Sequence, residues 1–195
     1  MRKGKNMKKI PVLILWALLL AGCNGYSLVP PTAQTMNGMT VTPATAWNKS
    51  PATLGKNVVS WTADGPLLNE VIFFAGVEEG SPLIKAKSKD QRPPKFRADM
   101  LPNEIMELVE ATVSLITNST LISTNNLKPR LVGGLPGFEF DLDYVARNEV
   151  ERRGRVIGTI QGGKLYLVLY QAPSLYYFDE TADEVDQLVS SISFN

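Results

Sequence analysis

Gln161-Gly162-Gly163-Lys164-Leu165-Tyr166-Leu167-Val168-Leu169-Tyr170 is the stretch that decides the fold. Two adjacent glycines between polar residues can both take the positive φ that a two-residue hairpin turn demands, so Gln161 is predicted to pair with Lys164. The register of both strands then follows. Ile160 faces Leu165, Gly158 faces Leu167 and Val156 faces Leu169 on one side; Thr159 with Tyr166, Ile157 with Val168 and Arg155 with Tyr170 occupy the other. Every residue from Leu165 to Tyr170 is apolar or aromatic, so this strand is predicted to be central and covered on both faces.

Moving upstream, Phe138, Phe140, Leu142 and Tyr144 alternate with Glu139, Asp141 and Asp143, the period of a strand with one apolar face. The connection around Asn148 returns the chain antiparallel, which sets Arg153 and Arg155 beside the carboxylates. Gly133-Gly134-Leu135-Pro136-Gly137 reads as a tight connection between strands, since no helix start follows it as a phosphate loop requires. Val58–Thr62 and Val71–Ala75 are two further strands around an Asp64-Gly65-Pro66 turn; a long polar segment from Glu78 to Asp99 follows, and its basic stretch Lys85, Lys87, Lys89, Arg92, Lys95 and Arg97 reads as a solvated loop in preference to a patch that touches anionic lipid headgroups or another acidic envelope component.

A helix is predicted from about Pro102 to Ile116, with Ile105, Leu108, Val109, Thr112 and Ile116 on one stripe. Glu104, Glu107 and Glu110 lie opposite, towards the positive end of the helix dipole, and read as a solvated face in preference to a metal site. A second helix is predicted where Thr181 and Glu184 have capping-box spacing, burying Val185, Leu188, Val189 and Ile192. Strands, helix, strands, helix make an α+β fold over residues 51–195: a mainly antiparallel sheet covered by two helices, an α/β/α sandwich in one domain. The Gly-rich hairpin, the strand Leu165–Pro173 and a last helix ending Ser190-Ser191-Ile192-Ser193-Phe194 resemble the end of PsbP-type α/β/α sandwich domains. The resemblance implies a noncatalytic accessory or assembly role and carries over no functional residue.

At the other end, Arg2, Lys3, Lys5, Lys8 and Lys9 precede an apolar run from Ile10 to Ala21, shorter than the about 20 residues a membrane-spanning helix needs. Residues 1–22 fit a secretory signal, with Met1 and Met7 both open as its start. Leu20-Ala21-Gly22-Cys23 resembles the lipobox of bacterial lipoproteins. That resemblance implies cleavage between Gly22 and Cys23, diacylglycerol on the Cys23 thiol and an acyl chain such as palmitate on its new amine. Each buried lipid CH₂ is worth about 0.8 kcal/mol, so several chains hold a protein on a membrane. No second apolar run approaches 18 residues. Asn24 stands where, in lipoprotein families, an aspartate retains the protein at the inner membrane; it favours the periplasmic face of the outer membrane. Residues 23–50, rich in Pro, Thr, Asn, Gly and Ser, read as the lipidated N-terminus and a polar tether. Trp47 is read as packing on the domain, which would draw Met39 onward into the fold.

Charge and composition then narrow the chemistry. Five of the 20 basic residues lie in the signal and none of the 19 acidic ones does, so the remainder carries 15 against 19, a net of −4. Nucleic acid is not an expected partner, because polyanion binding needs a clustered basic surface. The chain has no histidine and one cysteine, so no Ser-His-Asp or Cys-His arrangement and no imidazole metal site can form, and with Cys23 lipidated no thiol is left for a disulfide. No cofactor is implied.

What remains is carboxylates, lysines, serines and tyrosines. Glu139, Asp141 and Asp143 are the metal candidates, but strand neighbours two apart stand about 6.6 Å from each other, too wide to surround one Ca²⁺ unaided. Salt bridges to Arg153 and Arg155 are the favoured reading. Tyr166, Tyr170, Tyr176 and Tyr177 are candidate binding residues, aromatic bodies with polar tips that can line a pocket or anchor a partner. The leading expectation is a lipid-anchored, noncatalytic binding or assembly module of the cell envelope, joined to the membrane through Cys23 and to an envelope protein through its body. The alternatives are a lipoprotein hydrolase using carboxylates and a small-ligand carrier.

Overall fold

A computed structural model describes residues 25–119, 122–146 and 148–195, so the signal, Gly22, Cys23 and Asn24 lie outside the described residues. The elements run β1 (Ser27–Val29), β2 (Gln34–Met36), β3 (Met39–Val41), β4 (Trp47–Lys49), β5 (Val58–Thr62), β6 (Glu70–Val77), α1 (Pro102–Thr117), β7 (Ile122–Val132), β8 (Leu135–Val145), β9 (Glu151–Gln161), β10 (Lys164–Pro173), α2 (Tyr177–Ser190) and β11 (Ser193–Phe194). Eight strands form one antiparallel sheet in the order β1-β4-β5-β6-β10-β9-β8-β7, and β11-β3-β2 form a small second sheet.

The hairpin register agrees residue for residue with its expectation, from Gln161 opposite Lys164 to Arg155 opposite Tyr170. Gly162 and Gly163 sit at φ 56° and 73°, the left-handed values such a turn requires. The same device closes β7 onto β8, where Val132 faces Leu135 across Gly133 and Gly134. On the β9 side, a Cβ at Gly158 would come within 2.3 Å of Leu167 Cδ2 and 2.8 Å of the Tyr166 carbonyl, so only a glycine lets β10 pack there.

Because β10 is apolar on both faces, the sheet divides two cores. Leu165, Leu167, Leu169, Val156, Phe138, Phe140 and Leu142 meet Ile105, Leu108, Val109 and Val113 of α1. Tyr166, Val168, Tyr170 and Ile157 meet Val185, Leu188 and Val189 of α2, with Ile192 beyond it. The molecule is therefore an α+β sandwich with one helix on each face. At the start of α1, Pro102 occupies the first turn and the Glu104 carboxylate accepts the Leu101 amide at 2.7 Å; at its end, Asn118 adopts the left-handed conformation and donates its N–H to the Ser114 carbonyl.

Three expectations are corrected. The polar tether does not describe residues 25–50: β1 and β4 extend the main sheet, β2 and β3 form a hairpin over the α2-side core, and Val29, Met39, Val41 and Trp47 are buried. Strands of three residues with at most two buried side chains each leave almost no apolar run to read. In the segment from Glu78 to Asp99, Leu83, Ile84 and Phe96 are buried beneath α1, and the Phe96 amide donates to the Ser81 carbonyl at 2.9 Å. Strand β7, which the connection at Gly133-Gly134 implies but to which no range is assigned from the sequence, is an exposed edge strand, the place where Pro129 is tolerated. Finally, α2 begins at Tyr177, so Thr181 is a buried residue inside the helix and Glu184 accepts a hydrogen bond from Thr45.

Trp47→Ala tests the first correction. Emptying a fully buried tryptophan site is expected to cost about 3–5 kcal/mol, read as a lower urea midpoint with an unchanged slope. A tether residue would leave the midpoint where it was.

Candidate functional site

The carboxylates of β8 face α2, and each is engaged. Glu139 is buried; it accepts from Arg130 and from Lys128 at 3.0 Å, both on β7, and Arg155 of β9 lies 3.9 Å away. Arg130 and Arg155 then reach across to Asp186 of α2 at 3.4 and 3.0 Å. Arg153 joins Asp143 at 3.8 Å to Asp179 at 3.7 Å. Asp141 accepts from Asn126 at 2.8 Å and Asp143 from Asn125 at 3.3 Å. The guanidinium carbons of Arg153 and Arg155 stand 5.2 and 5.8 Å from the centroid of the Phe178 ring, within cation–π range. This belt ties β7, β8, β9 and α2 together.

Its chemistry is that of a brace. Burial alone would raise the Glu139 pKa, but hydrogen bonds from Arg130 and Lys128, reinforced by their charges, hold it below the ordinary glutamate value. A carboxyl held ionised by three cations is poorly placed to donate a proton at neutral pH. Among the described residues, no group of three or more His, Cys, Asp or Glu side chains is arranged to hold a metal ion.

The four tyrosines are spread along β10 and the entrance to α2. Tyr166 packs edge-on against Phe194, with ring centroids 5.0 Å apart. Tyr170 stacks on Phe178 at 4.9 Å and donates its hydroxyl to the Phe178 carbonyl at 2.8 Å; burial pushes that hydroxyl up to about 12. Tyr177 is partly buried against the α2-side core. Tyr176 is 64% exposed beside Leu175 at 87%, its backbone at φ 72°, ψ −60° in a γ-turn closed by the Tyr177 amide on the Leu175 carbonyl.

A different constellation, which the sequence reading missed, sits at the end of the sheet. Glu70 accepts from Ser60 and from Gln171 Nε2 at 2.7 Å, and Gln171 Oε1 accepts from the Tyr144 hydroxyl at 2.8 Å. Arg152, the second residue of β9, lies beside Tyr144 and donates to the Leu67 carbonyl at 2.7 Å. Burial raises the Tyr144 pKa, and the neighbouring Arg152 charge opposes that rise. Two surface clefts, of about 550 and 460 Å³, share Tyr144 and Arg152 as lining. The available signal was Gln171: a polar residue continuing an apolar strand, directly opposite Glu70 once β6 is paired with β10.

Glu139→Gln is expected to destabilise the protein at neutral pH by leaving Lys128, Arg130 and Arg155 short of one negative charge. Because the folded-state pKa of Glu139 is depressed, its contribution is present above the ordinary glutamate value and disappears as pH falls through the folded one. Urea midpoints of the two proteins should therefore differ most above about pH 5 and converge in stronger acid. A constant difference across that range would contradict the brace.

The chain matches no protein-family profile and no curated protein sequence. Among solved structures, the LpqN protein involved in cell envelope biogenesis of Mycobacterium tuberculosis aligns at 8% identity over 90% of this chain and 87% of that one, but at a TM-score of 0.35, too low to argue from. The solution structure of cyanobacterial PsbP (CyanoP) from Synechocystis sp. PCC 6803 covers 90% of this chain and 95% of its own at 14% identity, with a TM-score of 0.50. At that identity the likeness is one of fold: this chain is built on the α/β/α sandwich that CyanoP also adopts.

Proposed function

We propose that this chain is a lipoprotein of the bacterial cell envelope, anchored through Cys23 and acting as a noncatalytic binding or assembly module. The observation that carries the reading is Leu20-Ala21-Gly22-Cys23 placed directly after a basic and then apolar run. Asn24 favours the periplasmic face of the outer membrane as its address. The body supports a binding role because its carboxylate row is engaged in ion pairs and, at Asp141, a hydrogen bond from Asn126, and its deepest tyrosines are consumed in packing. Cell envelope biogenesis, the role attached to LpqN, is not carried over. The anchor also sets a distance: β1 begins four residues after Cys23, at most about 14 Å of extended chain, so the β1 edge of the sheet stays near the bilayer.

Three measurements test it. Cys23→Ser should abolish incorporation of radiolabelled palmitate and either release the protein from membranes or leave an uncleaved precursor; unchanged labelling would overturn the anchor. Crosslinking in intact cells should capture a discrete envelope protein. Robust turnover of an envelope substrate by the purified protein, lost on changing one carboxylate, would overturn the noncatalytic reading.

A further inference from the structure

Arg152 differs from the other arginines of β9. Arg153 and Arg155 each reach carboxylates on two elements, whereas Arg152 makes no ion pair with a carboxylate among the described residues. Its residue is only 7% exposed. One terminal nitrogen, Nη1, donates to the Leu67 carbonyl at 2.7 Å, and the other, Nη2, is buried with no hydrogen-bond partner. A guanidinium cannot discharge itself by losing a proton in a protein. A buried guanidinium held only by neutral groups, the Leu67 carbonyl and the neighbouring Tyr144 phenol, with Nη2 unpaired, is therefore an unfavourable arrangement unless something negative completes it.

The surroundings describe what that something is. The cleft of about 460 Å³ is lined by Arg152, Lys87, Tyr144, Leu67 and Ile116 among others, and no aspartate or glutamate is among the described residues that line it. Two cations and two large apolar side chains thus share one concave surface. The Leu67 side chain is largely exposed although its carbonyl is fixed by Arg152, which leaves an apolar wall beside the charge.

We propose that this cleft binds the oxyanion of a small amphiphilic ligand, a phosphate or carboxylate group attached to an apolar body. The oxyanion accepts from the Arg152 guanidinium, which lines the cleft, Lys87 adds a second positive charge, and the apolar body lies on Leu67 and Ile116. Phosphate and carboxylate share this chemistry as acceptors for a guanidinium. The site is independent of the lipid anchor, since it lies wholly within the folded body and is probed with water-soluble compounds.

The test is titration of the full chain, kept in solution with a non-ionic detergent, with phenyl phosphate, benzoate, inorganic phosphate and benzyl alcohol, followed by backbone amide chemical shifts. Phenyl phosphate or benzoate should saturate and move the amides of Leu67, Tyr144 and Ile116. Benzyl alcohol, which lacks the charge, should bind at least 10-fold more weakly. Inorganic phosphate binding as tightly as phenyl phosphate would identify a free oxyanion as the ligand and remove the apolar body from the proposal.

Arg152→Gln should weaken phenyl phosphate at least 10-fold, and Lys87→Gln, an exposed position whose loss leaves the fold intact, by a smaller factor. Equal affinity in Arg152→Gln, equal binding of benzyl alcohol, or shifts confined to other parts of the surface would each overturn the site. If Arg152→Gln does not fold, the shift map of the unaltered protein together with Lys87→Gln decides the matter.

Discussion

Strand β10 is buried on both faces, and that single constraint organises the rest of the molecule. Leu165, Leu167 and Leu169 project to one side and Tyr166, Val168 and Tyr170 to the other, all of them buried. A strand of this kind is stable only if apolar cover arrives twice, which is why the two helices must lie on opposite faces of one sheet. Sheet order follows the same logic. The β7–β10 meander adds its last strand to β6, so the two most apolar strands, β6 and β10, stand side by side at the centre. The more polar strands β1, β4 and β7 are left towards the edges.

The two cores are closed differently. On the α1 side, a long helix and the buried residues Leu83, Ile84 and Phe96 suffice. On the α2 side the helix is assisted by β2, β3 and β11, whose residues Met39, Val41 and Phe194 spread over Tyr166 and its neighbours. The Asn37 side chain fastens this small sheet to the main one by donating to the Ala75 carbonyl at 2.8 Å. The ionic belt then fixes the far flank of α2 to β7, β8 and β9. Its value lies chiefly in Glu139, because exposed pairs contribute little while a buried carboxylate with several cationic partners is costly to remove.

How much of this was legible in the sequence depends on how local each signal is. The hairpin register, the α1 stripe and the alternation in β8 all follow from periodicity within one or two elements, and the structure agrees with them. The pairing of Arg153 with Asp143 was legible because strand neighbours can be counted from a turn. The N-terminal strands were not, since each is three residues long and Trp47 is buried by elements far away in sequence. The start of α2 was misplaced because Tyr176 and Tyr177 carry no capping side chain; the backbone makes the entry through a strained turn. The candidate site was legible only in part. Glu70, Gln171, Tyr144 and Arg152 come from four separate strands, and no spacing along the chain announces their meeting.

The period of a strand also explains why the electrostatics of the two faces are unequal. In β9, Arg153 and Arg155 point to the α2 side with Ile157, while Arg152 falls on the alternate set with Val156, which belongs to the α1-side core. Helix α2 supplies Asp179 and Asp186 to its side, and β8 supplies Glu139 and Asp143 there as well. On the α1 side, β8 offers Phe138, Phe140, Leu142 and Tyr144, so the alternation that gives one face its carboxylates deprives the other of them. Arg152 is thus left to a carbonyl and a phenol by the same two-residue period that satisfies its neighbours. A cation stranded in this way at a cleft is a consequence of strand geometry, and it marks the place where the body of the protein is least complete on its own.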